Sequence, residues 1–404
     1  MTKHLLTTIC LMLLLFWPTQ AQEIATTTPT TVPAFRLSEP SRITTVSETN
    51  YLNALALRGM RLETHGVLFE SLNGSTIFAD LNSNVAFNPA SVIKLATSFA
   101  ALSKFGPVRH FETVLYSDGV VDKKRRTLTG NLVLKSDGDP SLSSTDITKM
   151  VRQVIRAGIA RVTGSLIVTG PFTYGSYYSN ESASRALGIT MRRLGLRLAN
   201  GVKTSADYAE TGTRLASILS PSLQDILFFQ NAHSSNPIAE RLGHTLGGPK
   251  AVERFLIDRV GIPITDIYIS RASGLDYNRI TARGTIDLLR TMYQYLEANN
   301  LRPEDVMPVA GADPGTLRTR FRTDPFRGGV VAKTGTLPGT DGGVSTLAGI
   351  LYTKQGGPVL FAIFNTKGNV NRFRQMQDGL LKDFMTELGG VLQPINASLR
   401  RSNN

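Results

Sequence analysis

The chain has 404 residues, 41% of them hydrophobic and 19% charged, with a formal net charge of +13. This is enough chain for one large or two ordinary domains, and the composition is globular, which excludes a disordered polymer. A basic balance favours anionic partners, but no helix-turn-helix signature, zinc-finger spacing or aromatic-basic strand pair is present, which argues against nucleic acid.

At the N-terminus, Lys3 and His4 precede an apolar run, Leu5 to Trp17, followed by Pro18 and Thr19-Gln20-Ala21. This pattern predicts a signal peptide over 1–21, cleaved after Ala21, with an uncleaved anchor as the alternative. The only cysteine, Cys10, lies inside the apolar run, so the mature chain is expected to have no disulfide. Residues 22–42 read as a leader, rich in Thr and Pro as far as Pro33. No later segment is long and apolar enough to span a bilayer.

A helix is expected from Glu48 to Leu57, then a hairpin turning at Asn73-Gly74 between alternating segments. A loop through Asn88-Pro89 leads into an apolar helix, Ala90 to Lys104. From Pro107 to Tyr178 the texture becomes short β segments around one amphipathic helix, Asp146 to Ala157. The basic run Lys123-Lys124-Arg125-Arg126 reads as a solvated hairpin turn. From Ser182 to Ile257 the pattern is read as helical, with breaks, and Thr285 to Glu297 as a further helix. Three strands (Gly328 to Thr336, Ser345 to Tyr352, Pro358 to Asn365) and a helix, Arg372 to Leu388, close the chain. The pattern predicts an α+β fold whose antiparallel sheet is built from both ends of the chain.

Three short motifs carry chemistry: Ser91-Val92-Ile93-Lys94, Ser234-Ser235-Asn236 and Lys333-Thr334-Gly335-Thr336. Ser91 opens a helix, where unpaired N–H groups favour developing negative charge, and Lys94 is three residues on, on the same face. A lysine acts as a base only if burial or a second cation lowers its pKa, and Lys333 is the candidate cation. Ser234 is placed to relay a proton, and Asn236 to hold both lysine and substrate amide. Lys333 and Thr334 suit a carboxylate, and Gly335 is expected to let substrate approach the strand. The N–H groups of Thr336 and Ser91 are candidates for an oxyanion hole. Each motif alone also reads blandly, as an N-cap, a polar turn or a strand end. Three in this order supply a serine acyl-transfer site without histidine. His4, His65, His110, His233 and His244 show no metal-ligand spacing, and there is no P-loop or dinucleotide fingerprint, so no metal or cofactor is expected.

The chain resembles the low-molecular-mass class C penicillin-binding proteins, which are D-Ala-D-Ala carboxypeptidases and endopeptidases. The resemblance rests on Pro89-Ala90-Ser91, Gly130 to Leu134 with Gly138 to Leu142, Ser234 to Glu240, Ser273-Gly274-Leu275, Gly311 with Gly315 to Leu317, and Ala332 to Leu337. It implies the transpeptidase fold shared with serine β-lactamases, carrying an inserted, shortened, β-rich subdomain. The peptidase domain is then expected over 43–106 and 179–398, and the insertion over 107–178. It further implies that Ser91 is the acylated nucleophile and Lys94 its base, that Ser234 and Asn236 line the cleft, and that Lys333, Thr334 and Thr336 hold carboxylate and oxyanion. Peptidoglycan stem peptides would be the substrates and β-lactam antibiotics covalent inhibitors, in the periplasm. A serine β-lactamase and a non-catalytic wall-binding protein are the competing readings. A β-lactamase needs a water-activating glutamate, and Glu181 lacks the context. Oligomeric state and carboxypeptidase versus endopeptidase preference are left open.

Overall fold

The computed structural model describes residues 39–209 and 212–392. The expected signal peptide, most of the leader and residues 393–398 lie outside the described residues. None of the described helices is long and apolar enough to cross a membrane.

The main sheet has six strands in the order Ser41–Arg42, Thr76–Leu81, His65–Ser71, Gly357–Thr366, Val344–Thr353, Val330–Leu337. All neighbours are antiparallel except the first pair. Both ends of the chain therefore build one sheet, as the sequence predicts. The end of the expected leader is corrected, because Ser41–Arg42 pairs with Thr76–Ile77 along the sheet edge.

Period-two alternation divides the sheet's side chains between two cores. Leu68, Ala348, Ile350, Leu360, Ala362 and Phe364 face a helical body centred on Lys94–Phe105. Val67, Phe69, Leu347, Leu351, Phe361 and Ile363 face the helices Val46–Ala56 and Val370–Glu387. Phe69 stacks on Phe361 and Phe384, with ring centroids 5.5 and 4.3 Å apart. Truncating one of these rings to alanine would cost about 3–5 kcal/mol. Fully buried Glu70 fastens the hairpin to the helix Ala282–Ala298 through Arg283 and Arg290.

A second sheet carries Val202–Ser205, Leu166–Thr169, Thr127–Ser136, Glu112–Asp122 and Thr213–Leu219, in that order, with Arg161–Val162 and Arg197–Leu198 beside it. Thr127–Ser136, Leu166–Thr169 and Val202–Ser205 are parallel to one another. The helices Ser144–Arg156 and Asn180–Arg193 make the crossovers between them and share a separate core, with Leu132, Val151, Val168, Leu187 and Met191. The boundary expected at 178 is therefore corrected, since this unit runs to Leu219. Residues 197–219 were read as broken helix because their strands are short and polar. Thr213–Leu219 is an edge strand with one buried residue, Ala216, and a register shift between Arg214 and Ala216, so it shows no clean alternation. The insertion is a mixed sheet with two crossover helices, the first of them the amphipathic helix expected from sequence.

Candidate active site

The first motif sits on a strained turn. Ala90 is fully buried at φ +47°, a left-handed backbone that costs a residue with a Cβ about 1–3 kcal/mol. Asn88 holds it, its Oδ1 accepting from Ala90 N–H at 3.0 Å and its Nδ2 donating to Asp276 O at 3.2 Å. From there a 3-10 turn, Ala90–Ile93, runs straight into the helix Lys94–Phe105. Ser91 and Lys94 thus lie on one face, as the spacing predicts.

Lys94 is fully buried, with Nζ 2.8 Å from Ser91 Oγ, 2.8 Å from Asn236 Oδ1 and 2.5 Å from Ser273 O. Burial pushes its pKa down to about 7, while Glu240 opposes the shift. Glu240 is itself tied to this corner, accepting from Ser273 N–H and Oγ–H and pairing with Arg271 at 3.2 Å.

The second motif is a hinge between two helices. Leu223–His233 ends at Ser234, which is left-handed at φ +54°, and Ser235 caps Asn236–Thr245. The helix therefore starts one residue before Pro237, so Asn236 stands in its first turn with its side chain free to reach Lys94. Ser234 Oγ accepts from Lys333 Nζ at 2.9 Å.

The third motif lies on the strand Val330–Leu337, at the edge of the main sheet. Ala332 N–H points outward, to Pro308 O at 3.3 Å. By alternation the N–H groups of Thr334 and Thr336 face the same outer edge. Lys333 is fully buried and donates to Thr334 O at 2.6 Å as well as to Ser234. Burial, and then the charge of Lys94, hold its pKa well below the ordinary lysine value. Burial is thus the main cause for both lysines, rather than Lys333 acting on Lys94.

A cleft of about 450 Å³ is lined by Ser91, Ser234, Thr316, Thr334, Thr336 and Arg374, with Arg320 and Asp378 at one end. Thr334 Oγ1 donates to Thr316 Oγ1 at 2.9 Å, and Arg374 Nη2 donates to Thr336 Oγ1 at 3.0 Å. Lys94, Asn236 and Lys333 lie beneath the cleft lining. Gly335 is corrected: it is buried, and a Cβ there would lie 2.6 Å from Pro89 O and 2.1 Å from Thr346 Oγ1. The missing Cβ lets the strand press on the turn that carries Ser91. A wider hollow of about 650 Å³ in the second unit, lined in part by Arg109, Asp137 and Tyr208, shares no residue with this cleft. Glu181 stands in the first turn of Asn180–Arg193 and does not line the cleft. His233 is exposed and packs on the Phe229 ring, with centroids 4.5 Å apart.

Ser273, Glu240, Thr316 and Arg374 were given no role from sequence. The Ser273 contribution is a backbone carbonyl, which no residue type announces. Arg374 stands on an ordinary polar helix face. The only signals were the family-like segments Ser234 to Glu240, Ser273-Gly274-Leu275 and Gly315 to Leu317.

The sequence matches the D-Ala-D-Ala carboxypeptidase 3 (S13) family over residues 50–176 and 171–382. It is 22% identical over 416 residues to the D-alanyl-D-alanine carboxypeptidase DacB of Haemophilus influenzae, covering 74% of this chain and 84% of that one. Its structure is similar to that of penicillin binding protein 4 from the same organism, with a TM-score of 0.64 at 20% identity, over 81% of this chain and 96% of the other. It is likewise similar to a predatory peptidoglycan endopeptidase from Bdellovibrio bacteriovorus, with a TM-score of 0.67 at 18% identity, over 82% and 94%. The structural likenesses establish the penicillin-binding-protein fold, and the family match spans both the three motifs and the second sheet. The chain belongs to the D-Ala-D-Ala carboxypeptidase 3 (S13) family and is a serine-type D-Ala-D-Ala carboxypeptidase.

Proposed function

We propose that Ser91 is the nucleophile of a DD-peptidase that cleaves the D-Ala-D-Ala bond, or a D-Ala cross-link, of peptidoglycan stem peptides. The observation that carries this is the buried Lys94 Nζ, 2.8 Å from Ser91 Oγ, with its pKa drawn down to about 7. In its neutral form Lys94 takes the Ser91 proton as Oγ attacks the carbonyl carbon of the penultimate D-alanine. The oxyanion that forms faces the N–H groups of Ser91 and Thr336. The C–N bond then breaks, and the leaving amine receives a proton relayed from Lys94 through Ser234. Water subsequently attacks the acyl-enzyme ester and frees Ser91. Asn236 positions Lys94 and the substrate amide, and the substrate backbone adds along the outer edge of Val330–Leu337. Thr334 and Thr336 receive the terminal carboxylate, beside Lys333.

A β-lactam mimics the scissile amide, so the same serine should be trapped as a stable adduct. Cleavage of the signal peptide after Ala21 would deliver the enzyme to the periplasm, where its substrate is. The test is labelling of the mature protein by a fluorescent penicillin, with Ser91→Ala as control and the adduct located by peptide mass. A long-lived adduct on Ser91 is expected. Rapid release of hydrolysed drug would mean a β-lactamase, and no adduct on folded protein would mean a non-catalytic wall-binding protein.

A further inference from the structure

We propose that Arg374, on the C-terminal helix, supplies the fixed positive charge that holds the substrate's terminal carboxylate, a role that the motif pattern assigns to Lys333. The proposal rests on the DD-peptidase reading of the cleft and names the group that recognises its substrate's charge.

The argument begins with what each cation faces. The two hydrogen bonds of the Lys333 ammonium go to Ser234 Oγ and Thr334 O, and its side chain is sealed beneath the cleft. A group so placed, with a strongly lowered pKa, makes a poor carrier of permanent charge. Arg374 is placed otherwise. The helix Val370–Glu387 buries Phe373, Met376, Gln377 and Leu380, which leaves Arg374 exposed one position beside that stripe. Its guanidinium crosses to the third motif and donates to Thr336 Oγ1 at 3.0 Å. It lines the same cleft as Ser91 and Ser234.

Its natural partner would be Asp378, four residues on along the helix. That carboxylate is taken by Arg320, whose Nε and Nη2 reach Asp378 Oδ1 at 2.6 and 2.5 Å. Among the described residues no carboxylate lies within ion-pair distance of Arg374; its other hydrogen bond goes to Asn371 Oδ1, at 3.4 Å. Arg320 thus neutralises the one acid among the cleft's lining residues, and Arg374 is left to face the cleft with no carboxylate partner of its own. Its planar fork matches a carboxylate bidentately, next to the Thr334 and Thr336 hydroxyls.

The test uses two ester substrates with the same scissile bond, an acylated peptidyl-D-Ala-D-lactate and its methyl ester, which differ only in the carboxylate. The wild-type protein should prefer the free acid in kcat/KM. Arg374→Gln should reduce that preference about 10- to 100-fold, the range for a charge-assisted hydrogen bond, by lowering free-acid turnover more than methyl-ester turnover. Arg374→Lys should restore part of the preference. An active wild type whose preference survives R374Q, or a variant that slows both esters equally, would overturn the proposal while leaving the peptidase intact. A wild type that turns over neither ester and takes up no penicillin would overturn the peptidase reading, and this proposal with it.

Discussion

In the proposed mechanism Lys94 is the residue on which the chemistry turns, because only its neutral form can accept the Ser91 proton. With the pKa pulled down to about 7 by burial, the base is protonated below that pH and free above it. Acylation by penicillin should therefore rise about tenfold per pH unit below about 7 and level off above it. The apparent midpoint belongs to the Lys94–Lys333 pair rather than to either lysine alone. A stopped-flow profile from pH 5 to 9 checks this, and a flat profile would remove Lys94 as the base. Lys94→Arg, which keeps the charge but cannot deprotonate, should fall by at least about a hundredfold at every pH. At this scale the sequence marked the side chains of the three motifs and missed those outside them, Glu240, Thr316 and Arg374. Ser91, Lys94, Ser234, Asn236 and Lys333 converge as their order suggested. The Ser273 carbonyl, 2.5 Å from Lys94, could not be read, since any residue supplies one. Gly335 was read as open to substrate, because a glycine signals close approach without naming what approaches.

That glycine shows how whole elements place the site. The edge strand Val330–Leu337 meets the Pro89–Ala90 turn at Gly335, and Thr346 on the neighbouring strand donates to Pro89 O at 2.7 Å. In Gly335→Ala the new Cβ would meet both Pro89 O and Thr346 Oγ1 well inside contact distance. Ser91 must then shift against Thr336, and acylation should fall at least about tenfold. A crystal structure or a near-wild-type acylation rate decides it: unchanged kinetics would mean the turn is slack. Glu70 makes a contrasting case, since it fixes an element away from the chemistry. Glu70→Ala leaves Arg283 and Arg290 without their buried partner and should cost about 3–5 kcal/mol. Urea unfolding measures that loss, while acylation per folded molecule should hold at 25 °C. The C-terminal strands and helix were legible because near-continuous apolar runs and a 3.6-residue stripe both point at large cores. The strands Arg197–Leu198, Val202–Ser205 and Thr213–Leu219 were not, being short and partly at the edge, where tertiary pairing rather than pattern makes them strands.

At the scale of the molecule, the second unit has its own core, so its coupling to the active site must run through a few contacts. Arg241 is the principal one. It stands on the helix Asn236–Thr245 that begins with the second motif, it is buried, and it donates to Pro140 O, Leu142 O and Gly175 O at 3.2, 3.1 and 2.6 Å. The segment that the sequence marked as a family feature, Gly138 to Leu142, is thus where the insertion is held, a long-range link that no local pattern could reveal. Arg241→Ala would leave buried carbonyls without donors, each costing about 1–3 kcal/mol. Because both cores remain whole, the loss should appear as faster amide exchange confined to residues 112–219, with the strands 330–366 still protected. Because the same helix carries Asn236, acylation should also slow, by about tenfold if Lys94 loses that hydrogen bond. Exchange that rises evenly over the whole chain would instead mean that the two units unfold together and that Arg241 is only one more core contact. Faster exchange in the insertion with unaltered acylation would separate the two roles, leaving the insertion as a unit attached to the catalytic domain without tuning it.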